Sequence, residues 1–226
     1  MSDSVIYEYP LGERTRLLLR LERLFAQLKQ THQDASIWSS RAFVLTLLDV
    51  LELTLRGDLK ADLIKDLERA SGNLSRLLQA PGVNTDRLET ILRALDGLRR
   101  DLLGVKGSLG QSLRDNELLN AIRQRNSVSG GLCDFDLPFF HYWLHLPAEI
   151  RQQQQGDWLA RLGITQRSVD LLLRLMRNLA EPRTVSAPDG IFQQSLDQGA
   201  AFQLVRISLP ADSPWFPEMS GGKHRI

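Results

Sequence analysis

The chain has 226 residues, of which 42% are hydrophobic and 24% are charged, and its formal net charge is +1. These values exclude an intrinsically disordered chain. No apolar run approaches the roughly 18 residues that a membrane-spanning helix requires, so no such helix is predicted. The single cysteine, Cys133, rules out an internal disulfide framework and, with an N-terminus that lacks a signal peptide, predicts a cytoplasmic protein.

The first half of the chain is predicted to begin with one strand and to continue in helices. Residues 4–9 are rich in β-forming side chains and end at Pro10, which indicates a short strand. Beyond this strand, apolar residues recur at helical spacing, and glycine and proline signals separate the segments. Helices are predicted at residues 13–31, 36–55, 58–78 and 85–103, before a glycine-containing break at residues 104–110.

The second half continues in helices as far as Pro182 and then changes to strands. Helices are predicted at residues 116–125, 139–146, 149–162 and 166–180. Residues 190–196 and 202–209 alternate in strand fashion across a turn at residues 197–199, which predicts a hairpin. A last strand begins at Lys223, and the chain ends inside it.

Together these elements predict an α+β protein that is mainly α-helical. The helical domain is expected to comprise residues 11–181. A small antiparallel β-domain is expected to be discontinuous, because both ends of the chain supply strands. It comprises residues 1–10 and 182–226, and its C-terminal strand is expected to be truncated.

Arginine outnumbers lysine by 23 to 5 among the 28 basic residues. GC-rich coding is the simplest explanation of that total, so a functional interpretation has to depend on where the arginines lie. On the first helix, Arg16, Arg20 and Arg23 fall at spacings of four and three residues, which places them along one stripe. Such a stripe is either a solvated charged face or a site for an acidic peptide or a phosphate.

The segment from Arg123 to His145 is the second feature of interest. Arg123 and Arg125 precede a turn with two glycines, and His141 and His145 are four residues apart on a predicted helix. Histidines at that spacing can bind a metal ion, but no glutamate or second cysteine accompanies them and aromatic residues surround them. No metal site is therefore predicted. A Cys133–His141 nucleophile pair lacks a third orienting group.

No catalytic residue and no cofactor are predicted. The chain has no phosphate-binding glycine loop, no dinucleotide-binding fingerprint and no nucleophile elbow. A partner-binding protein is therefore favoured. An arginine-rich nucleic-acid-binding protein is the alternative, although its near-neutral net charge disfavours it, and a metal-dependent enzyme that uses His141 and His145 is a third possibility.

Several motifs occur in this sequence from about Val5 to Arg225. They are Ile6-Tyr-Glu-Tyr-Pro-Leu, Leu48-Asp-Val to Arg56-Gly, Pro81-Gly-Val, Ile122-Arg-Gln-Arg, Phe135-Asp-Leu-Pro and His141-Tyr-Trp-Leu-His-Leu-Pro. In their order and nearly constant spacing, these motifs resemble the ZapD family of Z-ring-associated cell division proteins.

The resemblance implies a cytoplasmic homodimer that acts at midcell, at the division septum. It implies binding to the C-terminal tail of the tubulin-like GTPase FtsZ and cross-linking of FtsZ filaments, with neither nucleic acid nor membrane as a partner. The family binds its partner in a basic pocket on the helical domain. Carried over by motif, Arg20, Arg56 and His141 belong to that pocket, with Arg225 as a further member near the C-terminus.

Charge placement adds further residues to this expected pocket, and two departures from the family pattern qualify it. The added residues are Arg16, Arg23, Arg114, Arg123 and Arg125. This chain has Glu117 where relatives can have a basic residue, so the pocket is expected to be less positive unless Arg114 substitutes. The family also continues beyond the position of Ile226, so the small sheet is expected to be incomplete.

Overall fold

A computed structural model of the chain describes residues 4–55, 58–79, 84–178, 180–196 and 202–220. Within these ranges it forms eight α-helices and one two-stranded antiparallel sheet, which confirms the predicted α+β, mainly α fold. The helices are α1 (Glu13–Gln33), α2 (Ile37–Leu55), α3 (Leu59–Ser75), α4 (Thr85–Gly104), α5 (Gln111–Arg114), α6 (Glu117–Asn126), α7 (Pro138–Leu144) and α8 (Ala148–Arg177). The strands are β1 (Ser4–Pro10) and β2 (Leu204–Pro210).

The chain divides into two compact units. The smaller unit is Met1–Arg20 with Leu173–Ile226, and the larger is Leu21–Leu172. In the larger unit α2 supplies much of the core, because apolar residues occupy most of its circumference and a helix of that kind is stable only when it is surrounded. Its buried apolar side chains are Phe43, Val44, Leu47, Leu48, Val50, Leu51 and Leu53.

Short polar side chains set the starts of three helices in the larger unit. Asp58, Asn84 and Asn116 each accept a hydrogen bond from a backbone N–H three residues ahead, at the beginning of α3, α4 and α6. These bonds satisfy N–H groups that have no partner within the helix. None of the helices in the described ranges is long and apolar enough to span a membrane.

The prediction of two helices at residues 149–162 and 166–180 is wrong, because α8 is one continuous helix from Ala148 to Arg177. The predicted interruption contains Gly163, and a single glycine within a helix costs only about 1 kcal/mol relative to alanine. Leu162, Thr165 and Val169 are buried on both sides of it. The burial of these side chains outweighs that cost, so the helix continues through Gly163.

The first strand of the predicted hairpin of residues 190–196 with 202–209 is also not formed among the described residues. Instead β2 pairs antiparallel with β1, with Tyr7 opposite Ile207 and Tyr9 opposite Val205. Within residues 191–196 the only ladder contact is an isolated bridge at Ser195. Alternation identifies an extended segment but does not say which strand pairs with it. The predicted turn at residues 197–199 and the last strand from residue 223 lie outside the described residues.

One carboxylate ties the sheet of the smaller unit to the end of α8. Glu8 accepts two hydrogen bonds from Arg177, at 2.8 and 2.7 Å, and its Oε1 lies 2.9 Å from Nε of Arg206, the residue opposite it on β2. The hydrogen bonds from the Arg177 guanidinium, aided by the charge of Arg206, hold the pKa of Glu8 below its ordinary value of 4.5.

We expect the stability of the protein to depend on pH through Glu8. Its pKa is depressed by folding, so its contribution is present above about pH 4.5 and is lost as the pH falls through the folded-state pKa. Replacing Glu8 by glutamine is expected to lower the free energy of unfolding by about 1.5–3 kcal/mol near pH 7. Urea denaturation at a series of pH values should show this difference shrinking with acidification.

The exposed Glu218 provides a matched control for this prediction. Glu218→Gln removes the same charge from the same unit without touching the Arg177 contact, so it should change stability by less than about 0.5 kcal/mol. A loss for Glu8→Gln that equals the control, or that persists unchanged at low pH, would contradict the assigned role of Glu8.

Candidate partner-binding site

A polar pocket of about 500 Å³ lies on the larger unit, and we call it the basic pocket. It is bordered by the end of α2, the loop after α4, and the two short helices α5 and α6. Its lining residues are Thr54, Ser108, Gln111, Arg114, Asp115, Asn120 and Arg123. The structure thus brings together Arg114 and Arg123, two of the residues that charge placement had predicted.

A tight backbone turn positions α5 at the edge of the basic pocket. Gly110 precedes α5 with φ of +73°, a left-handed conformation that glycine adopts without strain. A Cβ atom at this position would lie 2.8 Å from Cδ2 of Leu51, so any other residue would also force the Leu51 side chain to shift. Leu113 is fully buried and anchors α5 from its other side. The turn and this anchor together hold Arg114 at the pocket wall.

Arg114 is held by neutral hydrogen-bond acceptors. Its Nη2 donates to Ser108 Oγ, to Gln111 Oε1 at 3.1 Å and to the carbonyl oxygen of Leu109 at 3.1 Å. Gln111 Nε2 in turn donates to Asp115 Oδ1 at 2.9 Å. Nε of Arg114 is buried and has no hydrogen-bond partner among the described residues. The guanidinium group is therefore fixed in place while its charge remains uncompensated by a carboxylate in that part of the chain.

Arg123 is exposed on α6, one turn beyond Asn120. Its Nη2 donates to Asn120 Oδ1 at 2.9 Å, which is again a neutral acceptor. The part of the lining that the structure describes thus contains two arginines and one carboxylate, Asp115, which together carry a net charge of +1. Two oriented guanidinium groups beside a cavity favour a carboxylate ligand, because their N–H groups match its two oxygens.

The predicted arginine stripe is present on α1. Arg20 and Arg23 are exposed and have no ion-pair partner among the described residues, whereas Nε of Arg16 lies 3.3 Å from Glu13 Oε1. No described residue of α1 belongs to the lining of the basic pocket. Arg20 and Arg23 therefore form the exposed part of the stripe, and Arg16 is half-buried beside Glu13.

His141 lies on α7 and belongs to a different cluster. Its Nδ1 is 2.9 Å from Asp134 Oδ1, and its ring centroid is 4.3 Å from that of His145. His145 Nδ1 donates to the carbonyl oxygen of His141 at 2.8 Å. Neither histidine lines the basic pocket. Within the described ranges, no group of three or more His, Cys, Asp or Glu side chains is placed to hold a metal ion.

A second cavity, of about 640 Å³, lies beside the basic pocket, and we call it the aromatic groove. The sequence did not lead to a prediction of this groove, although two large aromatic residues three positions apart on α7 could have indicated an exposed apolar surface. It is lined by residues 115–118, by Phe139, Tyr142, Trp143 and Leu146, and by Gln154, Asp157, Trp158 and Arg161 of α8. Glu117 lines this groove and not the basic pocket.

Comparison with known proteins places this chain in a family. A sequence model described as "ZapD: Cell division protein" matches residues 19–226, which is most of the chain. The chain belongs to the ZapD family. This finding confirms the resemblance seen in the sequence motifs and gives the protein a role in cell division.

Individual ZapD proteins resemble this chain along nearly its whole length. The cell division protein ZapD of Methylococcus capsulatus is 38% identical over 226 residues, which are 100% of this chain and 89% of that protein. ZapD of Pectobacterium carotovorum is 35% identical over 224 residues, covering 99% and 88% of the two chains. ZapD of Dechloromonas aromatica is 36% identical over 220 residues, covering 97% and 87%.

Four residues had been carried over from the ZapD family by motif, and the structure describes two of them. Arg20 lies on α1 and His141 on α7, both with exposed or partly exposed side chains. Arg56 and Arg225 lie outside the described residues. Arg125 is exposed in the last turn of α6 and does not line the pocket.

Proposed function

We propose that this ZapD-family protein binds the C-terminal tail of FtsZ and cross-links FtsZ filaments at the midcell division septum. It acts in the cytoplasm as a homodimer, by binding and not by catalysis, and without a cofactor. The basic pocket carries this proposal. Arg114 and Arg123 are held there by neutral acceptors and have no carboxylate partner among the described residues, so they are available to a carboxylate of the tail.

The chemistry of such a pocket fits a flexible tail that contains acidic residues. A carboxylate accepts charge-assisted hydrogen bonds from guanidinium groups, and these bonds are stronger than neutral ones. At an exposed surface each contact still contributes only about 0.2–1 kcal/mol, so one pocket binds one tail weakly. A homodimer offers two pockets to a filament whose tails repeat along its length, and this multivalency raises the overall affinity.

Residues outside the pocket lining extend the proposed tail-binding surface. Arg20, Arg56, His141 and Arg225 enter by their match to family motifs, and Arg16, Arg23 and Arg125 enter by charge placement. Arg20 and Arg23 are exposed on α1, without ion-pair partners among the described residues. We propose that each of these cations contributes electrostatic attraction for the acidic tail, an effect that salt weakens.

Sedimentation of FtsZ filaments tests the proposal. Filaments assembled with GTP should pellet as bundles with the wild-type protein. The double variant Arg114→Ala/Arg123→Ala should weaken binding of a fluorescein-labelled synthetic peptide of the FtsZ tail by about tenfold, equivalent to about 1.4 kcal/mol. It should also reduce the amount of FtsZ in the pellet. Arg87→Ala, which removes an exposed arginine from α4 outside the pocket, is the matched control and should behave as wild type.

Failure of the wild-type protein to bind the tail peptide or to pellet filaments would overturn the proposed function. Equal pelleting by the wild type and the pocket double variant would overturn the assignment of the basic pocket alone. Arg20→Ala tests the α1 stripe in the same assay, and pelleting equal to wild type would remove Arg20 from the binding surface.

A further inference from the structure

The aromatic groove adjoins the basic pocket, and Asp115 lines both cavities. The groove is the larger of the two, at about 640 Å³ against about 500 Å³. An extended peptide that places one side chain in the basic pocket therefore continues along or close to the groove, since successive residues of an extended chain advance by about 3.3 Å.

The floor of the groove is a preformed apolar surface. The rings of Trp143 and Trp158 are stacked with their centroids 5.7 Å apart, and the rings of Phe140 and Trp143 are stacked with their centroids 6.0 Å apart. Nε1 of Trp143 donates to Gln154 Oε1 at 2.6 Å, so the polar atom of this indole is already satisfied. A ligand meets a floor that needs no rearrangement, and this reduces the entropic cost of binding.

Two exposed aromatic residues form one wall of the groove. Phe139 and Tyr142 lie one turn apart on α7 and are 55% and 62% exposed. Large aromatic side chains on the surface beside a packed apolar floor are typical of peptide and protein recognition sites.

The charge of the groove is opposite to that of the basic pocket. Among the described residues, three carboxylates line it, from Asp115, Glu117 and Asp157, against one cation, Arg161, so these side chains carry a net charge of −2. This excess disfavours an acidic ligand and favours a cation. A lysine or arginine of the ligand also gains from the faces of the nearby aromatic rings.

We propose that the aromatic groove is a second subsite for the same FtsZ tail and takes an apolar segment that carries a basic residue. The inference rests on the proposed function, in which the basic pocket takes an acidic residue of that tail. The opposite charges of the two cavities fix the direction in which the tail lies. Glu117 then contributes to binding by recognising the basic residue, whereas a family-pattern cation at this position would repel it.

Removal of the aromatic wall tests the subsite. The double variant Phe139→Ser/Tyr142→Ser should bind the fluorescein-labelled FtsZ tail peptide about tenfold more weakly than wild type, the effect expected for two residues of a binding hot spot. Phe135→Ser is the matched control, because Phe135 is 82% exposed, belongs to the loop before α7 and does not line the groove. Urea denaturation of each variant shows whether the fold is retained.

The acidic lining provides a second test that does not depend on packing. The variant Glu117→Gln/Asp157→Asn should bind the native tail peptide about three- to tenfold more weakly, as expected for loss of charge complementarity at a partly exposed site. When glutamine replaces every lysine and arginine of the peptide, the variant and the wild-type protein should bind that peptide with the same affinity. Equal losses with both peptides, or no loss with either, would overturn recognition of a basic residue.

The outcomes separate this inference from the proposed function. If the wild-type protein binds the tail and Arg114→Ala/Arg123→Ala weakens binding, the proposed function stands. The subsite is then overturned on its own if Phe139→Ser/Tyr142→Ser binds the tail as tightly as wild type and as Phe135→Ser. If the wild-type protein does not bind the tail at all, both the proposed function and the subsite fail.

Discussion

Replacement of Arg151 by alanine is expected to lower the free energy of unfolding by about 3–5 kcal/mol. Arg151 is only 5% exposed, yet no carboxylate is among its partners in the described part of the chain. Its Nη1 donates to the carbonyl oxygens of Leu144 and Leu146 at 2.5 and 2.9 Å, its Nη2 to that of Ala35 at 2.5 Å, and its Nε to Ser40 Oγ at 3.1 Å.

The expected loss of stability is large because the acceptors that bind Arg151 would lose their hydrogen-bond donor. The carbonyl groups lie at the end of α7 and in the connection before α2, where no helical N–H is available to them. An acceptor left buried without a partner costs about 1–3 kcal/mol, and four acceptors depend on this one side chain. Water entering the space left by the arginine recovers part of that cost, which brings the expected total to the stated range.

Urea denaturation followed by tryptophan fluorescence measures the change. Arg161→Ala is the matched control, since Arg161 is exposed on the same helix and is expected to alter stability by less than about 0.5 kcal/mol. Arg151→Lys should give an intermediate loss, because lysine keeps the charge but lacks the planar fork. If Arg151→Ala were as stable as Arg161→Ala, the arginine would not be the link between α7 and α2.

Replacement of Trp158 by alanine is expected to lower the free energy of unfolding by about 3–5 kcal/mol, the usual range for truncation of a buried tryptophan. Its ring lies at the centre of an aromatic cluster in the larger unit, with centroids 6.4 Å from Phe43 of α2 and 5.7 Å from Trp143 of α7. The alanine variant leaves a cavity between these helices. It also removes part of the floor of the aromatic groove, so tail binding should weaken where the variant remains folded.

Trp38 provides the control for this truncation. It is 77% exposed at the start of α2, so Trp38→Ala removes the same number of atoms from the surface and should change stability by less than about 0.5 kcal/mol. Trp158→Phe retains one ring in the cluster and should lose less than Trp158→Ala. Urea denaturation and near-ultraviolet circular dichroism compare Trp158→Ala, Trp158→Phe and Trp38→Ala. Equal stability of Trp158→Ala and Trp38→Ala would contradict a central packing role for Trp158.

Local sequence patterns predicted most of the helices, because apolar periodicity reports which face of a segment must be buried. They were wrong at Gly163, where packing of Leu162 and Val169 overrides a weak helix breaker. They were also wrong about the hairpin, because alternation along residues 190–196 carries no information about which strand lies beside it. The pairing of β2 with β1 joins segments nearly 200 residues apart, and only the folded chain determines it.

The candidate site, too, could be predicted only in part from the sequence. Charge placement identified Arg114 and Arg123, which lie close in sequence and are brought together by two adjacent short helices. The aromatic groove escaped detection because its lining comes from three separate segments, residues 115–118, α7 with its following turn, and α8. Glu117 illustrates the difference, since in sequence it weakened the expected basic pocket, whereas in the structure it lines the neighbouring groove.

The sequence by itself determined the helical character of this protein, its membership of the ZapD family and the positions of its arginines, because those depend on local periodicity and on ordered motifs. Tertiary structure alone decided which of these residues share a cavity. It also decided that Arg151 is buried against Ser40, 111 residues away, and that Glu8 binds Arg177, 169 residues away. Contacts at such separations depend on how whole helices pack, and no short stretch of sequence records that packing.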